Sequence, residues 1–374
     1  MNSQHKVKVG VLCGGRSGEH EVSLMSAKSV IAALDTDKYD VVTIGITKTG
    51  RWIVGDVAAA LESGREVDVQ RATLLPSPET SALMRFDETA EQANLADVVE
   101  LDVVFPVLHG PYGEDGTVQG LLELADLPYV GAGVVGSAVG MDKAIFKAVM
   151  QAHELPVLPW RLIIASQWRQ HRTEMLDQME QVLTYPMFVK PANLGSSVGI
   201  SKVNNREELA DGLDQAAQHD RRLVVEQGVV ARELEVAVMG NDEPIASVVG
   251  EIRPRRDFYD YVAKYVSDDS ELIIPADLSA EQRNAVRSMA LQVFKAIDCA
   301  GLGRVDFLLD KTNEQIYVNE LNTIPGFTRI SMYPKLWQAS GLDYPELLDR
   351  LIALARERHA IKRKLKTSYE VERA

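Results

Sequence analysis

Apolar and polar positions alternate in a regular way along the first part of the chain. Residues 6–13 form a β-rich run that ends in two glycines, residues 22–34 carry apolar side chains at helical spacing, and residues 39–47 form a second strand. This order of strand, helix and strand is a βαβ unit, which predicts a parallel sheet. A third strand, 101–108, enters a glycine-rich loop before a helix at 117–124. The pattern therefore predicts an N-terminal α/β domain.

Shorter units follow. The expected elements are a variable insertion at 54–99, a helix at 137–153, strands at 160–164, 187–190 and 200–203, helices at 167–182 and 206–218, a strand at 223–226 that opens a third unit, strands at 233–239 and 244–251, and helices at 280–297 and 344–360. Residues 252–275 are polar and aromatic without a clear period. Such long loops are uncommon and are usually functional or disordered.

Two alternating runs, 303–309 and 316–322, predict a hairpin with one polar face. Successive strand side chains point to opposite faces, so strict alternation places Val318 on the same face as Glu320. Pairing of the strands would bring together two carboxylates, an amide and a cation: Asp306, Glu320, Asn322 and Arg304. Mg²⁺ prefers such oxygen ligands and needs few carboxylates. The alternative is a hairpin whose polar face is merely solvated.

Composition limits the classes of function. A chain of 374 residues is expected to form two or three domains. Its net charge of −14 argues against sequence-independent nucleic-acid binding, although a local basic pocket can still hold an anion. Two distant cysteines, Cys13 and Cys299, indicate neither a disulfide framework nor a zinc cluster and favour a reducing compartment. No apolar run predicts a signal peptide or a membrane span.

Two glycine-rich loops are candidates for ligand binding. Gly195 and Gly199 allow a tight turn whose N–H groups can face an anion, with Ser196 and Lys190 as further donors. The alternative is a flexible turn. The loop at 14–23 follows the first strand, at the sheet edge where ligands bind. There Glu19 is suited to hold an ammonium group, and a helix-capping loop is the alternative interpretation for Glu21 and Ser23.

Three other segments give weaker signals. His109 ends the third strand at the same sheet edge as Glu19, but a lone histidine is more often structural. Lys143 lies in a helical pattern, where lysine is usually solvated. Residues 226–229 follow an apolar strand and offer backbone groups to a flat heterocycle, with Glu233 near a ribose. An anion-binding loop, a metal-binding face and a separate substrate loop together indicate phosphoryl transfer to a carboxylate at a domain interface.

With these motifs in their order, the chain resembles the D-alanine–D-alanine ligases of the ATP-grasp superfamily from about residue 7 to residue 360. The matching segments are 14–23, 109–116, 141–143, 190–199, 258–265, 304–306, 319–328 and 331–332. The resemblance implies an α/β fold of three domains, with an N-terminal parallel-sheet domain (1–140) and two α+β subdomains (141–225 and 226–374, with the lid at 252–275) that enclose ATP. It also implies a cytoplasmic homodimer that makes D-alanyl-D-alanine for peptidoglycan precursors.

The resemblance further implies a role for individual residues. For ATP the residues are Lys143, Lys190, Ser196, Glu226, Gln227, Val229, Glu233, Lys264 and Phe307; for two Mg²⁺ or Mn²⁺ ions they are Asp306, Glu320 and Asn322. For D-alanine they are Glu19, His109, Tyr265, Ser331 and Met332, and Arg304 with the Gly326 N–H stabilises the tetrahedral intermediate. In this scheme Ser196 links Glu19 to Tyr265, and Lys264 contacts the transferred phosphate.

Three alternatives remain open at this point. A D-alanine–D-lactate ligase has the same scaffold, but such relatives generally replace the lid tyrosine, often with histidine, whereas this chain has Tyr265. An ATP-dependent ligase for other amino acids is a second possibility. A non-catalytic nucleotide-binding protein is a third, and it would be expected to lack the metal-binding carboxylates or Arg304, all of which are present.

Overall fold

The computed structural model describes residues 6–64, 68–87, 94–195, 198–254 and 270–366. Its first sheet has seven strands in the order β6-β5-β4-β3-β2-β1-β7. The strands are β1 (Val7–Gly14), β2 (Tyr39–Ile46), β3 (Trp52–Gly55), β4 (Val69–Leu74), β5 (Ala82–Asp87), β6 (Asn94–Glu100) and β7 (Val103–Pro106). β1 pairs in parallel with both β2 and β7, which confirms the predicted parallel sheet.

The segment at 54–99, which the sequence predicts to be a variable insertion, forms further strands of this sheet. After β3 the strands run antiparallel, and the short helix α2 (Val57–Ser63) packs beside them. Each of these strands is four to seven residues long. In such short strands the buried positions, among them Leu74 and Leu83, are too few to show a period among the surrounding charges.

Helices flank the parallel strands and lead out of the domain. They are α1 (His20–Ala33), α3 (Thr117–Leu124), α4 (Val134–Met141) and α5 (Lys143–Ala152). The single helix expected at 137–153 is therefore two helices, interrupted at Asp142. The backbone of Asp142 is extended, and the Asp142 carboxylate accepts hydrogen bonds from Ala144 N (3.0 Å) and Ile145 N (2.9 Å). Aspartate at this position caps a new helix, and Lys143 becomes its first residue.

A second, antiparallel sheet has the order β10-β9-β11-β8. It consists of β8 (Trp160–Ile164), β9 (Met187–Pro191), β10 (Ser201–Val203) and β11 (Arg222–Gln227), with helices α6 (Ala165–Gln170), α7 (Arg172–Val182) and α8 (Arg206–Ala216). β11 pairs with both β8 and β9, so it is a central strand here. This corrects the expectation that 223–226 opens the third unit.

The third sheet is antiparallel, in the order β14-β13-β12-β15-β16. Its elements are β12 (Ala231–Gly240), β13 (Ile245–Pro254), β14 (Ser270–Ile273), β15 (Gly301–Asp310), β16 (Ile316–Asn322) and the helices α9 (Ala280–Ala296), α10 (Met332–Ala339) and α11 (Tyr344–Lys362). Both ends of the expected lid, 252–254 and 270–273, are thus paired strands. The rest of the lid, 255–269, lies outside the described residues.

The hydrophobic core is continuous between the first and third sheets. α10 and α11 contribute buried side chains to a cluster that also contains Val9 and Phe105 of the first sheet. Polar contacts join the same parts, because the Tyr39 hydroxyl donates to Asp349 Oδ1 at 2.7 Å. The C-terminal helix therefore fixes the N-terminal domain against the third sheet. Within the described ranges, no helix has the length and apolar character needed to span a membrane.

Candidate active site

The predicted polar hairpin is formed by β15 and β16. Asp306 lies directly opposite Glu320, and Arg304 lies opposite Asn322. The alternate side chains Val305 and Phe307 are buried in the core under α9. The four polar residues therefore share the face that is turned away from this core.

A β-bulge changes the second strand. The register moves between Asp306 and Phe307, so that Phe307 pairs with Val318 and Asn319 becomes an extra residue. Val318 and Leu321 are consequently both buried in the core, while Glu320 lies on the polar face. The expectation that Val318 shares the face of Glu320 is wrong, because a bulge interrupts strict alternation.

Arg304 is held between two carboxylates. Its Nε and Nη2 donate to Asp306 at 2.7 Å each, and Nε lies 3.0 Å from Glu235 Oε2. Glu235 belongs to β12, opposite Asp306 in the register, and is buried. Glu235 was not among the residues predicted from the sequence. The sequence feature that could have indicated it is the spacing of Glu233 and Glu235 on one strand, because residues two apart place both carboxylates on one face.

The polar face fits a magnesium ion in its chemistry. Asp306 and Glu320 supply carboxylate oxygens, Asn322 supplies an amide oxygen, and the Asn322 amide nitrogen donates to Asp306 Oδ2 at 2.9 Å. Among the described residues no cluster of three histidine, cysteine or acidic side chains is arranged to hold a metal. A site with two carboxylates and room for phosphate oxygens is typical of Mg²⁺, which keeps several waters or substrate ligands.

Two lysines share one buried carboxylate beside this face. Lys190 Nζ donates to Glu226 Oε2 at 2.5 Å, and Lys147 Nζ donates to Glu226 Oε1. Burial acts to raise the pKa of Glu226, but the two ammonium groups outweigh it and lower the pKa to about 2. Burial acts to lower the pKa of Lys190, and Glu226 reverses this effect so that the pKa is raised. Glu226 is therefore ionised at neutral pH.

Lys143 approaches the same region from the start of α5. Its Nζ donates to the Leu194 carbonyl at 2.7 Å and lies 3.7 Å from Glu320 Oε2. Its own backbone N–H donates to the Ala192 carbonyl. The break at Asp142 thus brings a helix-terminal lysine to the polar face of the hairpin, and the loop after β9 holds it there.

A cleft of about 930 Å³ lies between the second and third sheets. Among the residues predicted for the nucleotide, those that line it are Lys143, Lys190, Glu226, Gln227, Val229 and Glu233, together with Glu320 of the metal face. Phe307 does not, because its side chain is buried on the other face of β15; Leu308 lines the cleft instead. The assignment of Phe307 to the nucleotide is therefore wrong. Gln227 also supports the cleft wall, accepting from Thr184 N at 2.9 Å.

The substrate loops converge on Glu19, which is buried at the start of α1. A Cβ atom added to Gly195 would lie 2.7 Å from Glu19 Oε2, and one added to Gly110 would lie 2.8 Å from it. Only glycine allows two backbone segments to approach one carboxylate this closely. The structure therefore brings the predicted anion loop and the predicted ammonium site together.

His109 and Glu114 connect this loop to the segment that follows β16. His109 Nδ1 lies 2.9 Å from the Ile324 carbonyl, and Glu114 accepts from Gly110 N (2.7 Å) and Ile324 N (3.0 Å). Burial lowers the pKa of His109, against the opposing effect of Glu19. Burial, with the charge of Glu19, raises the pKa of Glu114 to about 8. Both groups are consequently uncharged over much of the neutral range.

The remaining predicted residues divide into three groups. Gly326 and Ser331 are neighbours, since a Cβ on Gly326 would lie 3.1 Å from Ser331 Oγ, and Ser331 Oγ accepts from Thr328 N at 3.1 Å. The Met332 side chain is buried in the core near Gly250, so the predicted substrate contact of this residue would come from its backbone. Ser196, Lys264 and Tyr265 lie outside the described residues.

Comparisons with known proteins agree with this geometry. Two family models match, described as "D-ala D-ala ligase N-terminus" over residues 8–132 and "D-ala D-ala ligase C-terminus" over residues 149–353. Among curated proteins, the chain is 51% identical over 360 residues to a D-alanine–D-alanine ligase of Heliobacterium modesticaldum, covering 96% of this chain and 97% of that protein. It is 48% identical over 366 residues to that of Natranaerobius thermophilus, covering 97% and 99%.

Solved structures give the same result. The D-alanine–D-alanine ligase of Coxiella burnetii superposes with a TM-score of 0.79 at 37% identity, covering 96% of this chain and 97% of the other. The VanG D-Ala:D-Ser ligase of Enterococcus faecalis superposes with a TM-score of 0.82 at 34% identity, covering 94% and 100%.

Proposed function

Because the chain belongs to the D-alanine–D-alanine ligase family, we propose that it joins two D-alanine molecules to D-alanyl-D-alanine at the expense of ATP. The fold is the mixed α/β ATP-grasp fold expected from the resemblance, with one sheet containing parallel strands and two antiparallel sheets. The product is a building block of peptidoglycan precursors. The observation that carries the proposal is the hairpin register, in which Asp306 faces Glu320 beside a lysine-lined cleft.

The reaction takes place in two steps. In the first, the carboxylate of one D-alanine attacks the terminal phosphorus of ATP, which releases ADP and leaves an acyl phosphate. In the second, the neutral amine of another D-alanine attacks the acyl carbon, the amide bond forms, and phosphate departs with the C–O bond pair. The reacting groups are anionic in the first step, so cations must offset the crowding of negative charge. Lys143 and Lys190 are placed at the cleft to do so.

We assign the metal to the polar hairpin face, where Asp306, Glu320 and Asn322 would hold two Mg²⁺ or Mn²⁺ ions. Divalent metal at this position neutralises charge on the transferring phosphoryl group. The chain's own contribution is to present two carboxylates on opposed positions of adjacent strands. Lys143 lies within 4 Å of Glu320, so the phosphate-contacting lysine and the metal-binding face adjoin.

We assign the first D-alanine to the loops around Glu19. The Glu19 carboxylate would hold its ammonium group, and His109 stays neutral beside it because burial lowers its pKa. The Gly110 and Gly195 backbones enclose the site, which limits water next to an acyl phosphate that hydrolyses readily. Glu114 of this domain accepts a hydrogen bond from Ile324 N. This contact fixes the distance between the substrate site and the segment that leads to Gly326.

We assign the second step to Arg304 and Gly326. Arg304 and the Gly326 N–H would donate to the oxyanion of the tetrahedral intermediate, and Ser331 would orient the second D-alanine. From the family resemblance we add Ser196, Lys264 and Tyr265, which lie outside the described residues. Tyr265 supplies no imidazolium that would favour lactate over a second D-alanine with its ammonium group, which argues for dipeptide over depsipeptide.

One assay tests this function. Phosphate release with ATP should require D-alanine and should not be supported by L-alanine. Mixtures of D-alanine with D-lactate or D-serine, analysed by mass spectrometry, should give D-alanyl-D-alanine as the main product. A main product containing lactate or serine would refute the acceptor assignment, and release without D-alanine would refute the function. We further propose that the protein is a cytoplasmic homodimer. A cytoplasmic location is consistent with ATP as a substrate, and light scattering of the purified protein will test the dimer.

A further inference from the structure

A lysine with no role in the reaction above is among the most completely buried side chains of the described chain. Lys147 is 1% exposed and lies on α5, one turn after Lys143. It does not line the nucleotide cleft. A buried ammonium group is costly unless it is paired, and the partner of Lys147 is Glu226.

Glu226 is therefore contacted from two sides. Lys190 reaches Oε2 from the cleft side, and Lys147 reaches Oε1 from behind. With Glu226 ionised, three charged groups in contact carry a net charge of +1. If only Lys190 and Glu226 were present, their charges would cancel, and little net attraction for a phosphate would remain at the cleft.

Other carboxylates make this balance more important. Glu320 and Glu233 act together with Glu226 to raise the pKa of Lys190. Burial lowers the pKa of Lys147, and Glu226 and Glu320 oppose this effect. The cleft therefore contains several acids close to the place where an anionic ligand would bind. The two lysines together offset more of this negative charge than Lys190 could alone.

Lys147 is not the only attachment of α5 to the second sheet. Asp142 Oδ2 forms an ion pair with Arg222, which lies on β11 four residues before Glu226. Ala144 of the same helix is buried in a cluster with Val224 of β11. These contacts already hold the helix against the second sheet. If Lys147 served only to hold the helix in place, it would not need to be a buried charged residue.

We propose that Lys147 is a positioning residue of the nucleotide site, which neutralises Glu226 from behind so that the positive charge of Lys190 stays available to the nucleotide phosphates. The proposal rests on the ATP-dependent function given above. The proposal predicts different effects on phosphate binding and on adenosine binding. Only the phosphates carry a charge that responds to the net charge of Lys147, Glu226 and Lys190.

The experiment compares ADP and adenosine on the full-length protein, by displacement of a fluorescent nucleotide. Lys147→Met should raise the Kd of ADP by about tenfold, on the scale of one partly screened charge interaction. It should leave the Kd of adenosine within about twofold, since adenosine has no phosphate. Lys147→Arg keeps the charge and should bind ADP nearly as the wild type does. The matched control is Lys295→Met, on the exposed side of α9, which should change neither value.

A double variant tests the charge argument directly. Lys147→Met combined with Glu226→Gln removes both the cation and the anion and keeps the net charge at +1, so the ratio of its ADP and adenosine Kd values should return to that of the wild type. This comparison still holds if Lys147→Met does not fold, because in the double variant no buried carboxylate has lost its lysine.

Three results would overturn the proposal. They are an equal loss of ADP and adenosine affinity in Lys147→Met, unchanged ADP affinity in that variant, and a double variant whose ADP affinity relative to adenosine stays about tenfold below that of the wild type. A wild-type protein that binds no ADP would instead refute the nucleotide-dependent function itself, and the two failures are thereby distinguished.

Discussion

Arg304 and Asp306 are joined by two hydrogen bonds of 2.7 Å, from Nε to Oδ1 and from Nη2 to Oδ2. Asp306, which we assign to the metal, is thus also the residue that holds Arg304, which we assign to oxyanion stabilisation. Metal binding to Asp306 must compete with this pair, and Glu235, 3.0 Å from Arg304 Nε, remains as a second partner for the arginine.

The first prediction concerns the metal face. Asp306→Asn and Glu320→Gln should each lower kcat by about a hundredfold or more, because a neutral amide binds Mg²⁺ less tightly than a carboxylate and the metal would offset the charge of the transferring phosphoryl group. Turnover is measured at saturating Mg²⁺, with thermal unfolding as the check on folding. The control is Asp310→Asn on the same strand, whose carboxylate accepts hydrogen bonds from Thr312 in the turn. Near-normal turnover in Asp306→Asn would remove that residue from the metal site.

The second prediction concerns Glu235. Glu235→Gln should lower kcat by about tenfold, because Arg304 loses an ionic partner and is held less well for the second step. The KM for ATP should change little, since Glu235 does not line the nucleotide cleft. Steady-state kinetics with each substrate varied in turn will separate the two parameters. A rise in KM for ATP at constant kcat would contradict this role.

The third prediction uses the close approach of Gly195 to Glu19. Gly195→Ala should raise the KM for the first D-alanine by about tenfold or more, because the added methyl group would lie 2.7 Å from Glu19 Oε2 and one of them must move. The matched control is Gly120→Ala in α3, where an added Cβ meets nothing within 4 Å. Equal D-alanine KM values for the two variants would show that Gly195 does not bound the substrate site.

The fourth prediction concerns pH and stability. The pKa of Glu114 rises on folding from 4.5 to about 8, so the folded state binds its proton more tightly than the unfolded state does. Its contribution is fully present below pH 4.5 and is lost as the pH rises towards about 8. The stability of the wild type relative to Glu114→Gln should therefore fall across this range. Urea unfolding at several pH values tests this, and parallel pH profiles would show that Glu114 does not titrate abnormally.

The fifth prediction concerns the acceptor. Tyr265→His should increase D-alanyl-D-lactate relative to the dipeptide, chiefly at lower pH, because a charged imidazole attracts the lactate carboxylate and repels an ammonium group. Both products are quantified in one competition reaction across pH. A product ratio that does not change with pH would mean that residue 265 does not face the second subsite.

Much of the fold followed from local patterns. The βαβ unit at the N-terminus and the polar face of the C-terminal hairpin could both be predicted, because strands and amphipathic helices show a periodic spacing of apolar residues in the sequence. The break at Asp142 and the bulge at Asn319 were not readable, since each changes the course of the chain at a single residue within an otherwise regular pattern. Phe307 and Met332 were assigned to the site by motif position, but their side chains are in the core.

The sequence by itself determined the chemistry that is available: the carboxylates, lysines and glycines, and their order along the chain. Tertiary structure alone decided which of them meet. Glu235 reaches Arg304 only because β12 lies beside β15, and Lys147 reaches Glu226 only because α5 packs against β11. Long-range pairing of this kind depends on sheet order and helix packing. No local period encodes either one, because the partners lie tens of residues apart and their side chains become neighbours only when the sheets assemble.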